Sequence, residues 1–269
     1  MSAREGGSSE AQKLGARFMS EQVRKMEAKL AGGKMRTAPN GEKADLYIIH
    51  GWTYTVEPWA TTLSLLDKAG VKVKMLHVPG LTSPSRKVYT IDDYAKWADS
   101  EIPDGAVALG HSNGGRILLN LCAEKPDKLS RLILLDSAGI YEMTFKKRLV
   151  KALAKVGRPM KRVPLVGKVF HRLTGTTDYA RAPENMKRTL ENMLNSDKNL
   201  DLTQITTQTT ILWGEKDTIT PPRQANKMQA LLPNARLKFY KDWTHAPYIV
   251  DPEGLARAIL QVLAKEGRR

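Results

Sequence analysis

The stretch Ala106-Val107-Ala108-Leu109-Gly110-His111-Ser112-Asn113-Gly114-Gly115-Arg116-Ile117-Leu118-Leu119 decides how this chain is read. Ala106–Leu109 is a short apolar run, as in a buried strand, and apolar residues return at helical spacing over Gly114–Ala123. Between them stands Ser112, with a glycine two residues away on each side. A serine on a sharp strand-to-helix turn sits in strained backbone, and its neighbours at that distance must be small. Gly-x-Ser-x-Gly by itself is weak, because chance supplies it in about one chain in ten of this length. Its place between a strand and a helix separates a candidate nucleophile from an idle serine in a glycine-rich turn.

On both sides of this stretch the chain alternates. Apolar or β-branched runs at Leu46–Ile49, Val71–Leu76, Leu132–Leu135, Thr210–Trp213 and Arg236–Tyr240 read as strands. Pro58–Ala69, Ile91–Glu101, Pro222–Leu232 and Pro252–Lys265 read as helices between them or after them. Alternation of this kind implies an α/β fold with a mostly parallel sheet flanked by helices. The continuous apolar strands agree, since parallel strands are covered on both faces. Sites in such sheets form from loops at the carboxyl ends of the strands. Those loops are His50–Thr55, His77–Ser85, Gly110–Gly114, Asp136–Gly139, Gly214–Pro221 and Lys241–Tyr248.

A serine hydroxyl needs a base to accept its proton. Of the five histidines, His245 lies on the loop after the last strand and is free to reach Ser112. His50, His77, His111 and His171 fit surface or satisfied core positions better. A neutral histidine base needs a carboxylate to fix its tautomer. Asp217 follows the preceding strand and gives the chain order Ser…Asp…His. Asp136, after Leu132–Leu135, is its rival, whereas Glu215 faces elsewhere. A tetrahedral intermediate needs two N–H donors. The amide of Asn113, at the start of a helix, is one candidate; the amide of Trp52, beside Gly51, is the other.

His50-Gly51-Trp52, Pro79-Gly80, Gly110-His111-Ser112-Asn113-Gly114, Gly214-Glu215-Lys216-Asp217 and Thr244-His245-Ala246-Pro247 together resemble the α/β-hydrolase superfamily. The resemblance spans roughly residues 45–269. It implies an α/β-hydrolase core over 45–140 and 201–269, a Ser112–His245–Asp217 triad, and a helical cap inserted at 141–200. Serine at the elbow argues against the dehalogenase and epoxide hydrolase branches, which place aspartate there. Superfamily members usually carry one or two strands before the His-Gly loop. Here little beyond Lys34–Thr37 could serve, and residues 1–44 read as a helical extension over Ser9–Leu30 with a lead-in, so a shortened sheet is expected. The activity implied is cofactor-independent cleavage of a carboxylic ester in a small-molecule or acyl substrate, with no metal. Capped relatives offer two alternatives. One is carbon–carbon bond hydrolysis of a diketone-like acid, its anion held by a basic side chain such as Arg116 or one from the cap. The other is a ligand-binding or signalling protein that retains the fold.

Composition sharpens these expectations. Of 269 residues, 41% are hydrophobic and 26% charged, too apolar for wholesale disorder. The single cysteine, Cys122, excludes an intrachain disulfide. With no apolar leader at the start of the sequence and a free cysteine, the expected location is cytoplasmic. The net charge of +15 invites a search for anionic partners. Most of it lies in residues 141–200, which hold 14 basic and 5 acidic side chains. There Phe145, Leu149, Ala152, Leu153 and Val156 form an apolar helical stripe opposite Lys147, Arg148, Lys151 and Lys155, and Ala182–Asn195 reads as a second helix. A solvated basic face is the leading reading; weak association with an anionic membrane and steering of an anionic substrate follow it. Nucleic acid is not expected, for no recognition motif accompanies the charge. Oligomeric state is left open.

Overall fold

The computed structural model describes residues 43–141 and 182–264. Within them six strands form one parallel sheet: β1 (Leu46–Ile49), β2 (Val73–Leu76), β3 (Ala106–His111), β4 (Leu129–Leu135), β5 (Thr209–Gly214) and β6 (Ala235–Tyr240). Their order is β2-β1-β3-β4-β5-β6. The chain leaves β1 for the β2 edge and returns to β3 on the other side of β1. The carboxyl ends of β1 and β3 therefore flank the point where the winding reverses, and a crevice opens there in such sheets.

Helices follow the strands: α1 (Ala60–Lys68), α2 (Ile91–Glu101), α3 (Asn113–Glu124), α4 (Glu184–Ser196), α5 (Pro222–Leu231), the single turn α6 (Pro247–Val250) and α7 (Pro252–Leu263). Side chains on a strand alternate between faces, and β4 shows the consequence. Leu132 and Leu134 join Ile117, Leu118 and Leu121 of α3 in one core, while Ile133 and Leu135 join Leu255 and Ile259 of α7 in the other. Two apolar layers thus clamp the sheet, and all four of these β4 residues are fully buried.

Local chemistry sets several boundaries. Thr90 caps α2 by accepting from the Asp93 amide, and the Asp93 carboxylate accepts in return from the Thr90 amide. The strand expected from Val71 begins at Val73, because the Val71 amide closes the end of α1 on Leu66 O at 3.0 Å. β4 begins three residues before its apolar run, since Leu129 and Arg131 pair with Ala106 and Val107 across an irregularity that leaves Ser130 out of register.

The expected helix at Ala182–Asn195 corresponds to α4, which lies between β4 and β5 where the insertion falls. The other half of the expected cap, with the Phe145–Val156 stripe, lies outside the described residues. So do the Ser9–Leu30 helix, the Lys34–Thr37 segment and His171.

Candidate active site

The turn after β3 is as sharp as its sequence requires. Ser112 has φ 51° and ψ −116°, a conformation rarely adopted by a residue with a side chain. Its backbone is held on both sides: the Ser112 amide donates to Leu135 O at 3.1 Å, and its carbonyl accepts from the amides of Gly115 at 3.1 Å and Ala138 at 2.9 Å. The motif glycines permit the close approach. A β-carbon on Gly114 would stand 2.1 Å from the carbonyl oxygen of Ile49, and one on Gly110 would stand 2.5 Å from the backbone of Gly115. The strained serine therefore follows from α3 packing almost in backbone contact with β1 and β3.

His245 and Asp217 come to this serine from loops 133 and 105 residues further along the chain. The Ser112 hydroxyl lies 3.0 Å from His245 Nε2, and His245 Nδ1 lies 2.8 Å from Asp217 Oδ2. A carboxylate can only accept, so Nδ1 carries the proton and Nε2 presents its lone pair to the serine. Asp217 is tied down further. Its Oδ1 accepts from the amides of Ile219 at 2.7 Å and Thr220 at 3.0 Å, and its Oδ2 accepts from the Thr220 hydroxyl at 2.6 Å. Burial works against the Asp217 charge. The neighbouring His245 and these hydrogen bonds outweigh it, so the carboxyl titrates below its ordinary range.

The remaining histidines settle into other work. His111 donates from Nε2 to the carbonyl of His245 at 2.7 Å, fixing the loop that carries His245. Burial, reinforced by His245, lowers its pKa to about 3, so it stays neutral. Tyr248 on α6 stacks on Trp59 with ring centroids 4.3 Å apart and meets His111 edge-on, closing the loop from the other side. His50 donates from Nδ1 to Gly51 O at 2.7 Å and accepts at Nε2 from the Thr82 hydroxyl at 2.7 Å. Burial lowers its pKa to about 4. His77 is exposed.

The two expected oxyanion donors are Asn113, next to Ser112 in the chain, and Trp52, whose neighbour Gly51 packs against Ser112. Asn113 is the first residue of α3, where a helical amide has no partner within the helix. Gly51, which precedes Trp52, packs so closely that a β-carbon there would lie 3.1 Å from Ser112 Cβ and 2.9 Å from His111 Nδ1.

Asp136 is the rival carboxyl, and the structure gives it a different environment. It is fully buried, its Oδ1 accepts from the Gly214 amide at 2.8 Å, and its Oδ2 has no partner. Burial first, and the nearby Asp217 charge second, hold its carboxyl protonated well above the ordinary range. The unfolded chain ionises this group near pH ~3.9, while the folded protein resists ionisation, so stability falls as pH rises above that value. Asp136→Asn keeps an acceptor for Gly214 and suits the positive φ of 43°. The variant is expected to melt above wild type at pH 7, with the gap closing toward pH 4 in thermal unfolding followed by circular dichroism. Glu215 is exposed, as its position two residues nearer the strand suggested.

One residue of this neighbourhood escapes a reading of the sequence, and another serves a different end from the one expected. Thr220 touches Asp217 Oδ2, His245 Nδ1 at 3.1 Å and the carbonyl of Asp136 at 3.1 Å, yet it reads only as part of a turn before Pro221. Arg116 is buried, and all three of its nitrogen groups are engaged with Asp197 and Asn113. It is not free to hold the anion that carbon–carbon cleavage would place there.

Fold, elbow and hydrogen-bonded trio together define a class, and comparison with known families agrees. Residues 46–252 match the model of the alpha/beta hydrolase fold, and the chain belongs to that family. Among curated relatives, the pimeloyl-acyl-carrier protein methyl ester esterase of Aromatoleum aromaticum is 24% identical over 250 residues, covering 82% of this chain and 98% of the relative. The enzyme of the same name from Nitrosomonas europaea is 22% identical, covering 83% of this chain and 96% of the relative. Among solved structures, a thermophilic esterase from Thermogutta terrifontis superposes with a TM-score of 0.63 at 19% identity, covering 84% of this chain and 91% of that one. An alpha/beta hydrolase from the sediment metagenome of the Mar Chica lagoon gives 0.63 at 19% identity, covering 87% and 100%. Among the described residues no helix is long and apolar enough to cross a membrane.

Proposed function

We propose that the chain is a serine hydrolase that cleaves carboxylic esters through an acyl-enzyme on Ser112. The observation that carries this reading is the continuous run from Ser112 Oγ through His245 to Asp217, with contacts of 3.0 and 2.8 Å. Ser112 attacks the ester carbonyl as His245 Nε2 takes its proton. The amides of Trp52 and Asn113 receive the oxyanion. The resulting imidazolium, stabilised by Asp217, returns its proton to the departing alcohol. Water then attacks the acyl-enzyme, giving up a proton to the same nitrogen, and the carboxylic acid leaves with Ser112 restored.

The named relatives act on a methyl ester of an acyl chain held by a carrier protein. An ester of a small alcohol with an acyl chain of short or medium length is therefore the substrate class assigned here. The free, buried Cys122 accords with a cytoplasmic location. We read the basic stretch 141–200 as the solvated face of a cap, and equal binding to anionic and neutral vesicles is the expected result. Assay of methyl and p-nitrophenyl esters over a range of acyl lengths tests the substrate reading. Turnover that depends on acyl length supports it, and no turnover of any ester by folded protein would overturn it.

A further inference from the structure

Arg116 occupies a position that helix stability does not explain. It lies in the first turn of α3, where the helix dipole disfavours a positive charge, and only 3% of its surface is exposed. An apolar side chain of similar volume would fill the same space without desolvating a cation. Its contacts are specific. Nε and Nη2 donate to Asp197 Oδ1 at 2.7 Å and Oδ2 at 2.8 Å, a bidentate pair, and Nη1 donates to Asn113 Oδ1 at 2.5 Å.

Both partners carry meaning. Asp197 caps the end of α4, where the chain returns from the insertion to the core, and is itself buried. That helix is docked on its neighbours independently: Thr189 Oγ1 accepts from the Tyr89 amide at 2.9 Å, and Asn192 Nδ2 donates to Tyr89 O at 3.0 Å. Asn113 is the residue directly after the nucleophile. With Oδ1 turned to Arg116, its Nδ2 is left buried with no partner. An amide free to choose would not leave a donor unpaired. The guanidinium therefore imposes the orientation of Asn113 against a local cost.

We propose that Arg116, clamped by Asp197, is a positioning residue that fixes Asn113 and with it the amide that receives the oxyanion. The latch joins the returning end of the insertion to the first residue of the nucleophile helix, so the placement of α4 is transmitted to the oxyanion hole. This rests on the reading of Ser112 as nucleophile and of the Asn113 amide as an oxyanion donor.

The test uses the full chain and two readouts, steady-state hydrolysis of a p-nitrophenyl ester and the rate of reaction with a fluorophosphonate. Arg116→Lys keeps the charge and loses the bidentate fork. Asn113→Ala keeps the backbone amide and the ion pair and loses only the Oδ1 contact. Each is expected to lower kcat by about 10- to 100-fold, the range for a misplaced rather than deleted oxyanion donor, with KM little changed. Fluorophosphonate labelling should slow in parallel. The double variant should be no slower than the worse single one, because both break the same link. Asp197→Glu, which preserves the carboxylate, should recover more activity than Asp197→Asn. If Arg116→Lys does not fold, Asn113→Ala carries the test, since it leaves the buried pair in place. Wild-type kcat in Asn113→Ala, or losses that multiply in the double variant, would sink the latch while labelled wild type upheld the hydrolase reading. Wild type that neither labels nor turns over an ester would sink both.

Discussion

Ser112→Ala is expected to lower ester turnover by about six orders of magnitude, the loss found when the nucleophile of a serine hydrolase is removed. In the proposed reaction the substitution deletes the one atom that forms the bond to substrate. What survives is substrate binding and the oxyanion donors, which together retain roughly a thousandfold advantage over water. KM should therefore change little. The fold should change little as well. The Ser112 side chain makes no capping bond to α3 and hydrogen-bonds His245 Nε2. Alanine occupies the same strained turn, which is held by backbone bonds to Leu135, Gly115 and Ala138. Hydrolysis measured alongside thermal unfolding separates the two effects. A melting temperature near wild type with activity gone is the expected pair of results, and appreciable turnover in the variant would contradict the assignment.

Asp217→Asn is expected to cost about four orders of magnitude in kcat. The reason lies in which oxygen each neighbour uses. The amides of Ile219 and Thr220 both donate to Oδ1, so an asparagine must keep its carbonyl oxygen there. Its NH2 group then falls where Oδ2 was, facing His245 Nδ1 and the Thr220 hydroxyl. A donor in that place forces the histidine proton onto Nε2, where it confronts Ser112 as a donor and cannot take the serine proton. The same substitution at Asp136 is expected to leave turnover near wild type, because that carboxyl resists ionisation and its Oδ1 accepts from Gly214, with no bond to His245. A rate measurement on the two variants side by side distinguishes the carboxylates. Equal losses, or the larger loss at position 136, would transfer the orienting role to Asp136. Asp217 also has a pH signature of its own. Its pKa lies below the unfolded value, so its stabilising contribution is present at neutral pH and is lost as pH falls through the folded pKa.

The sheet and the trio were legible in the sequence because each has a local signature. Apolar runs separated by turn residues marked the strands, and the elbow motif marked the serine. His245 and Asp217 were found by a single topological rule, that chemistry gathers on loops after strands. Chain order favoured Asp217 over Asp136, and the hydrogen bond to His245 was beyond the reach of sequence. What stayed hidden depends on tertiary placement. Asp197 lies 81 residues from Arg116, and nothing local to either announces a buried pair. Arg116 suggested a cation waiting for an anionic ligand, whereas the fold supplies the anion itself. His111 read only as a satisfied core residue, because its hydrogen bond reaches a carbonyl 134 residues away. The start of β4 was missed for a different reason: Ser130 and Arg131 break the apolar pattern, although the strand runs through them with Leu129 and Arg131 paired to β3 around a register shift.

The net charge of +15 bears little on the reaction. The stretch 141–200 carries most of it, while residues 45–140, which include Ser112, hold 10 basic and 11 acidic side chains. The proposed reactivity depends instead on one serine being activated by one histidine. Treatment with a fluorophosphonate, followed by mass spectrometry of the digested protein, tests that directly. The expected result is a single adduct on the peptide containing Ser112, absent from Ser112→Ala. A folded wild-type protein that takes up no label, or takes it up at another residue, would contradict it.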